Sequence, residues 1–357
     1  MDYKGRMSRL RDAMGRERLD VVLITHLPNI RYLCGFTGSA GVLLVAPKPT
    51  FFTDGRYAEQ GAAEVVGAKV VIVKGAALIA AAKQIGKIKK SIVGIEAEHL
   101  SVSSGDALAE VLPKGIRLKA TRGMVETLRM IKEPAEIDIM REAIDLGCEL
   151  LPAAFKAIRP GEPEVRVAAE IEYAARKNAA EGMSFETIVA SGPRSALPHG
   201  VASAAAIAAK GFVVLDFGVI LHGYCSDMTR TVHVGAASQD ERDLYRAVLD
   251  AQMSAVSACL PGAKLGDVDA AARDVLKHSK LDKYFTHSTG HGVGLEIHEP
   301  PRLAQGQKEV LRPGMVITIE PGVYLAGKCG IRIEDVVAIT ESGYELLTSA
   351  KKELIEI

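Results

Sequence analysis

No stretch of about 18 consecutive apolar residues occurs in the 357-residue chain, so no membrane-spanning helix is expected. Residues 1–20 carry Arg, Asp and Glu throughout and lack the apolar core of a secretory signal. Net charge is missing too. The 44 Lys and Arg balance 44 Asp and Glu, which removes any electrostatic argument for nucleic acid or an anionic membrane as partner. Cysteine is sparse: Cys34, Cys148, Cys225, Cys259 and Cys329 are odd in number, scattered, and form no Cys-x-x-Cys. That usage suits a reduced, cytoplasmic chain. What remains is an ordinary soluble composition, 48% hydrophobic and 25% charged, long enough for roughly two domains.

Residues 1–122 read as a small α/β domain. An amphipathic helix at 4–18 leads to strand-like runs at 21–24, 41–45, 50–53, 70–73 and 92–95, with helical stretches between. Two glycine-rich pieces, 32–40 and 53–57, fit turn chemistry. A boundary near 121–133 opens a second domain, 123–357. Pro134 starts a long helix, 135–157, which Arg159-Pro160-Gly161 stops. A second helix, 164–180, is expected to end at Gly182. A strand at 187–190 and a turn-rich piece at 191–200 follow.

Residues 213–234 organise this second domain. They read as two apolar, strand-forming runs around a tight His222-Gly223 break, the pattern of a hairpin. Asp216 and Asp227 lie on opposite arms about equally far from the turn, so the register brings two carboxylates together. Like charges at close range repel unless a cation or a proton holds them, and Asp is depleted in strands. A metal accounts for both acids.

The same order then recurs. Helices at 239–259 and 267–278 flank Pro261-Gly262, which lies 101 residues after Pro160-Gly161. A further strand pair, 316–324 and 330–340, carries Glu320 and Glu334 about evenly around Gly327. The domain therefore reads as a duplicated unit of helix, helix and acid-bearing hairpin, whose halves would set four carboxylates at a shared centre. Between the hairpins, residues 287–299 hold three of the nine histidines, His287, His291 and His298, with glycine on both sides of His291. Glycine lets backbone approach a ligand closely, which suits a site loop. Four carboxylates and an imidazole form a hard ligand set, better matched to divalent manganese or cobalt than to a thiolate zinc site. Two shared acids and three terminal ligands would hold two ions about 3.5–4 Å apart, as dinuclear hydrolases do to activate water and polarise a carbonyl. The remaining histidines become candidates to orient substrate or stabilise an oxyanion.

These residues carry a family likeness. Leu215-Asp216-Phe217-Gly218, Ser226-Asp227-Met228-Thr229-Arg230-Thr231, the 287–299 loop, Thr318-Ile319-Glu320-Pro321-Gly322 and Ile331-Arg332-Ile333-Glu334-Asp335 resemble the pita-bread metallopeptidases. That superfamily includes prolidase, aminopeptidase P, methionine aminopeptidase and creatinase, and the resemblance spans nearly the whole chain. It implies an α/β (α+β) protein: a small N-terminal α/β domain and a C-terminal pita-bread domain of two pseudo-symmetric helix-helix-hairpin halves. It implies Asp216, Asp227, His291, Glu320 and Glu334 as ligands of two divalent metal ions, manganese foremost, with cobalt or zinc as alternatives. Asp227 and Glu334 would bridge, and Glu320 would also shuttle a proton to the leaving imino nitrogen.

The N-terminal domain and Ser195-Ala196-Leu197-Pro198-His199-Gly200 resemble the proline-specific branch. On that likeness His199 and His298 are catalytic and line the substrate site, and His287 shapes the proline pocket. Arg332 joins these substrate-side residues. Two positions before Glu334, it shares a strand face with that ligand and reads as a clamp on the carboxylates, or else as a solvated strand arginine. The expected activity is hydrolysis of the bond between an N-terminal residue and a following proline, in a cytoplasmic homodimer. Dipeptides and longer peptides both remain open as substrates. A creatinase-like metal-free hydrolase and a non-catalytic binding member of the fold compete with this reading. Both usually come with altered ligand positions, whereas all five here hold ligating residues. Elsewhere, His222 is expected in a turn, His233 at an exposed strand position, Cys225 and Cys329 as core or pocket-wall thiols, and the lysines of 83–90 on a solvated surface.

Overall fold

A computed structural model of the protein describes residues 1–88 and 91–357, which form two units, Met1–Arg129 and Met130–Ile357. The division falls beyond the 122/123 boundary expected from sequence because a short helix, Glu126–Arg129, is tied into the first unit. Asn29 donates to the Glu126 carboxylate at 2.6 Å, and Arg129 donates to the Asn29 side chain at 2.8 Å.

The first unit is built on one six-stranded sheet: β1 (Val21–Ile24), β2 (Val42–Val45), β3 (Thr50–Asp54), β4 (Lys69–Val73), β5 (Ile92–Glu96) and β6 (Arg117–Thr121). Their order is β4-β3-β2-β1-β5-β6, antiparallel about β2 and parallel elsewhere. Helices α1 (Tyr3–Arg16), α2 (Leu27–Cys34), α3 (Ala58–Glu64), α4 (Ala77–Ile85), α5 (Val102–Val111) and α6 (Glu126–Arg129) alternate with the strands, as the sequence pattern implied. The two glycine-rich pieces do local structural work. Gly35 takes a φ of 85° to close α2, and Asp54 accepts from the Arg56 amide at 3.0 Å to cap a tight turn. Lys83 and Lys87 are exposed, and Lys89 and Lys90 lie outside the described residues.

In the second unit α7 (Pro134–Ala157) begins with proline inside a Glu133–Glu136 capping box, and α8 (Glu164–Lys177) follows. The second helix stops before the expected Gly182. Ala179 takes the left-handed turn instead, at φ 67°, and Arg176 donates to the carbonyls of Ala180 and Glu181. Next come β7 (Gly182–Met183), β8 (Ile188–Ser191), β9 (Gly211–Phe217), β10 (Val219–Leu221), β11 (Tyr224–Cys225) and β12 (Met228–Val234). The order then repeats with α9 (Gln239–Ser257) and α10 (Leu265–His278). The closing strands are β13 (Gly290–Gly292), β14 (Glu299–Leu303), β15 (Val316–Ile319), β16 (Gly322–Leu325), β17 (Cys329–Arg332), β18 (Asp335–Ile339) and β19 (Tyr344–Leu346).

Both acid-bearing hairpins form, each in two storeys. The β9–β12 base pairs with β8, whereas its β10–β11 tip joins β7 in a separate sheet. The β15–β18 base lies in a sheet ordered β14-β13-β15-β18-β19, and its β16–β17 tip stands apart. Register runs unbroken through both joints. Asp216 pairs with Thr229 and Ile220 with Cys225, while Ile319 pairs with Asp335 and Gly322 with Arg332. The first register sets Asp227 diagonally from Asp216 on one face, and the second sets Glu320 opposite Glu334. Each helix pair packs on its own hairpin: Leu150 and Ile171 meet Val213 and Leu215, and Val248 and Leu276 meet Ile317 and Ile333.

Buried Arg230 joins the two halves. It donates to the Glu334 carbonyl at 2.5 Å and the Asp335 carboxylate at 2.8 Å, and also to the carbonyls of Ala350 and Lys351. The segment that supplies those carbonyls corrects one expectation. His233 is fully buried rather than exposed, because residues 355–357 hydrogen-bond alongside it, Glu241 approaches its Nε2 and Phe212 packs on its ring. His222 does occupy the turn, at φ 48°. All five cysteines are free, with Cys225 buried and Cys329 half-buried in the core. Among the described residues no helix is long and apolar enough to cross a membrane.

Candidate metal centre

The joints of the two hairpins open into one cavity of about 750 Å³. Its walls include Asp216, Asp227, Glu320 and Glu334, together with His199, His287, His291, His298 and Arg332. Every candidate ligand and substrate residue named from the sequence therefore lines one cavity. Asp227 and Glu334 hold equivalent positions, each immediately before the return strand of its hairpin, β12 or β18. With His291 they place one ligand atom apiece within 4.8 Å of one another.

The electrostatics of the bare cluster are adverse. Burial raises the Asp227 and Glu334 carboxyls well above their ordinary range, and the neighbouring acids push them further. Glu320 is raised to about 8, by burial first and then by Asp216, against the opposing pull of Arg332. Burial lowers His291 to about 4, which keeps it neutral. Its Nδ1 lies 3.0 Å from the Gly292 carbonyl and so carries the proton. Nε2 then turns a lone pair toward Asp227 and Glu320 oxygens, 3.5 Å from each. Asp216 Oδ1 is buried with no hydrogen-bond partner among the described residues. A neutral imidazole facing carboxylates lone pair to lone pair, beside an orphaned carboxylate oxygen, is a donor set suited to a cation. The residues fit divalent metal of the oxygen-preferring kind.

Arg332 is a clamp and not a solvated arginine. It is 3% exposed and donates to Asp216 at 2.5 Å, Thr229 Oγ1 at 3.0 Å, the Pro198 carbonyl at 3.0 Å and Tyr324 Oη at 2.7 Å. Burial opposes its charge, but Tyr324, Asp216 and Glu320 outweigh that and hold it protonated. Thr229 passes the restraint on by donating to Glu334 at 2.8 Å. Tyr324 Oη, already accepting from Arg332, donates to His287 Nε2 at 2.9 Å. His287 is therefore neutral with its proton on Nδ1, in line with burial lowering it to about 4.

Sequence reasoning passed over several supports. Buried Glu164 on α8 holds the segment that carries His199, accepting from the Ser191 amide, Arg194 and Ser203. Buried Asp269 on α10 does the same for the His287 segment through Thr289, while Arg273 donates to the His287 carbonyl at 2.6 Å. An acid on the buried face of an amphipathic helix was the available signal. Arg302 was also missed. It lies opposite His291 in the β13–β14 register, lines the cavity, is exposed, and has no ion-pair partner among the described residues.

Comparison with known proteins agrees with this picture. Residues 138–341 match metallopeptidase family M24, and residues 6–131 match the creatinase/prolidase N-terminal domain. The Xaa-Pro dipeptidase of Pyrococcus horikoshii is 36% identical over 355 residues, covering 98% of each chain. A solved Xaa-Pro dipeptidase from Bacillus anthracis superposes with a TM-score of 0.96 at 42% identity, over 100% of both chains. A solved X-Pro aminopeptidase from Thermotoga maritima gives 0.88 at 34% identity, over 97% of this chain and 100% of that one.

Proposed function

The chain belongs to metallopeptidase family M24, and from that premise we propose that it is an Xaa-Pro dipeptidase working with two divalent metal ions. Asp216, Asp227, His291, Glu320 and Glu334 would hold the ions, Asp227 and Glu334 being shared between them. Manganese is the ion we favour, with cobalt or zinc as alternatives, in a cytoplasmic homodimer. When bound, such ions activate water and polarise the scissile carbonyl. The chain's own residues do the rest. His199 and His298 face the cavity and orient the substrate and the oxygen on which charge develops. His287, fixed by Tyr324, shapes the wall that receives the proline ring. Glu320 carries a proton to the leaving imide nitrogen, which has no N–H of its own in the substrate.

Arg302 carries the choice of a dipeptide. An unpaired guanidinium beside the ligand His291 suits a free C-terminal carboxylate, which a dipeptide presents one residue beyond the scissile bond. Hydrogen bonds to charged groups contribute about 1.5–3 kcal/mol, so roughly 10- to 100-fold of Ala-Pro turnover rests on this contact. The test compares kcat/KM for Ala-Pro, Ala-Pro-NH2 and Ala-Pro-Ala in the wild type and in Arg302→Met. The variant is expected to lose that factor on Ala-Pro and little on the amide. Equal turnover of Ala-Pro-Ala and Ala-Pro, unaffected by the substitution, would place the enzyme with the aminopeptidases instead.

A further inference from the structure

At the cavity wall lies a buried ion pair that the chemistry above does not use. Lys132, just before α7, places Nζ 3.2 Å from Glu299 Oε2, and the two side chains are 1% and 3% exposed. Such a pair is poor evidence for a stability role, since two well-packed apolar residues usually stabilise as much or more. Its position suggests another purpose. Glu299 directly follows His298 in the cavity wall, and the two differ in burial: His298 is exposed while Glu299 is buried.

Glu299 also fixes the loop that presents His298. It pairs with Gly292 where the β13–β14 register shifts, so it closes the turn that leaves β13 after His291. Its Oε1 accepts from the Glu296 amide at 3.1 Å, inside that same turn. The carboxylate is seated against Gly294, where an added Cβ would lie 2.8 Å from Oε2. Gly294 is anchored in turn, its carbonyl accepting from the Cys225 amide at 2.7 Å. At the end of this arrangement the His298 ring meets His291 edge-on, with centroids 4.4 Å apart.

We propose that Lys132 and Glu299 are positioning residues that set His298 against His291 and the substrate, an inference resting on the dipeptidase reading for its catalytic consequence. Without the lysine, the carboxylate would turn toward water, and the loop with it. Misplacing a substrate-facing group by about 1 Å can cost on the order of 100-fold in rate, so a loss of roughly 10- to 100-fold in kcat is expected.

The experiment uses the full chain and has a readout besides turnover. Imidazole ¹⁵N resonances are recorded for wild type, Lys132→Met, Lys132→Arg and the paired Lys132→Met/Glu299→Leu, which keeps the buried region neutral if the single variant folds poorly. His298 is assigned through His298→Ala. The His298 resonances should move in Lys132→Met and in the paired variant, recover in Lys132→Arg, and leave exposed His278 unchanged. On Ala-Pro, Lys132→Met should add little to the loss already present in His298→Ala, because both act through one ring. Unmoved His298 resonances, or a full additional loss in the His298→Ala background, would overturn the proposal. A wild type silent on Ala-Pro would refute the dipeptidase reading, while the resonances would still decide the role of the pair.

Discussion

Stripping the metal should make the fold sensitive to pH in a calculable direction. Glu320 has its carboxyl at about 8 in the bare cluster against an ordinary 4.5. A folded value above the unfolded one means that the folded chain binds the proton more tightly. The stability this contributes is fully present below pH 4.5 and is lost as pH rises through 8. Across that window about 1.4 kcal/mol disappears per pH unit, or roughly 4 kcal/mol between pH 5 and 8. Asp227 and Glu334 are displaced in the same direction and add to it. A domain of this size shifts by about 2–4 °C per kcal/mol, so Tm should fall on the order of 10 °C. The assay is a calorimetric Tm series from pH 5 to 8 on chelated protein, shown to be metal-free by elemental analysis, beside a manganese-loaded series. The loaded protein should lack most of the fall, and Glu320→Gln should flatten much of the metal-free slope. Parallel metal-free and loaded curves would refute the reasoning, because four facing carboxylates would then carry no excess proton affinity.

Substitutions at two positions test the centre more directly. Arg332→Leu removes four side-chain hydrogen bonds and strands a buried Asp216, which should lower unfolding free energy in urea by about 3–5 kcal/mol. Arg332→Lys should not restore it, since one ammonium cannot span those acceptors, and a loss under about 1 kcal/mol would contradict the clamp. Asp227→Asn should reduce bound metal per chain and cut kcat/KM on Ala-Pro by more than about 100-fold, exceeding the usual cost of losing an outer partner. Normal metal content with near-normal turnover would remove Asp227 from the centre.

The sequence made the acids legible because Asp and Glu in apolar strands are anomalies, and period-two geometry turns their spacing into proximity. It made the duplication legible through the recurrent Pro-Gly breaks. It could not show that each hairpin changes sheets at its acids. That joint depends on tertiary crowding: an added Cβ at Gly218 would run into the Ser226 carbonyl, and Pro321 cannot donate to a ladder. Residues whose roles are set by distant partners stayed hidden, Thr229 being 105 positions from Glu334 and Lys132 being 167 from Glu299. His233 was misjudged for the same reason, since the segment that hydrogen-bonds alongside it lies more than a hundred residues downstream.

The division of the centre between two hairpins has a consequence for how the protein is made. Asp216 and Asp227 leave the ribosome about a hundred residues before Glu320 and Glu334, and Arg230 waits a further stretch for the carbonyls of Ala350 and Lys351, 120 and 121 positions on. At roughly 5–20 residues per second that interval is on the order of 5–20 s. Throughout it the nascent first half carries a pair of aspartates with neither counter-residues nor a closed pocket around them. The full set of four acids therefore comes together only after the second hairpin has been made, and the first hairpin must hold its aspartates apart from their partners until then.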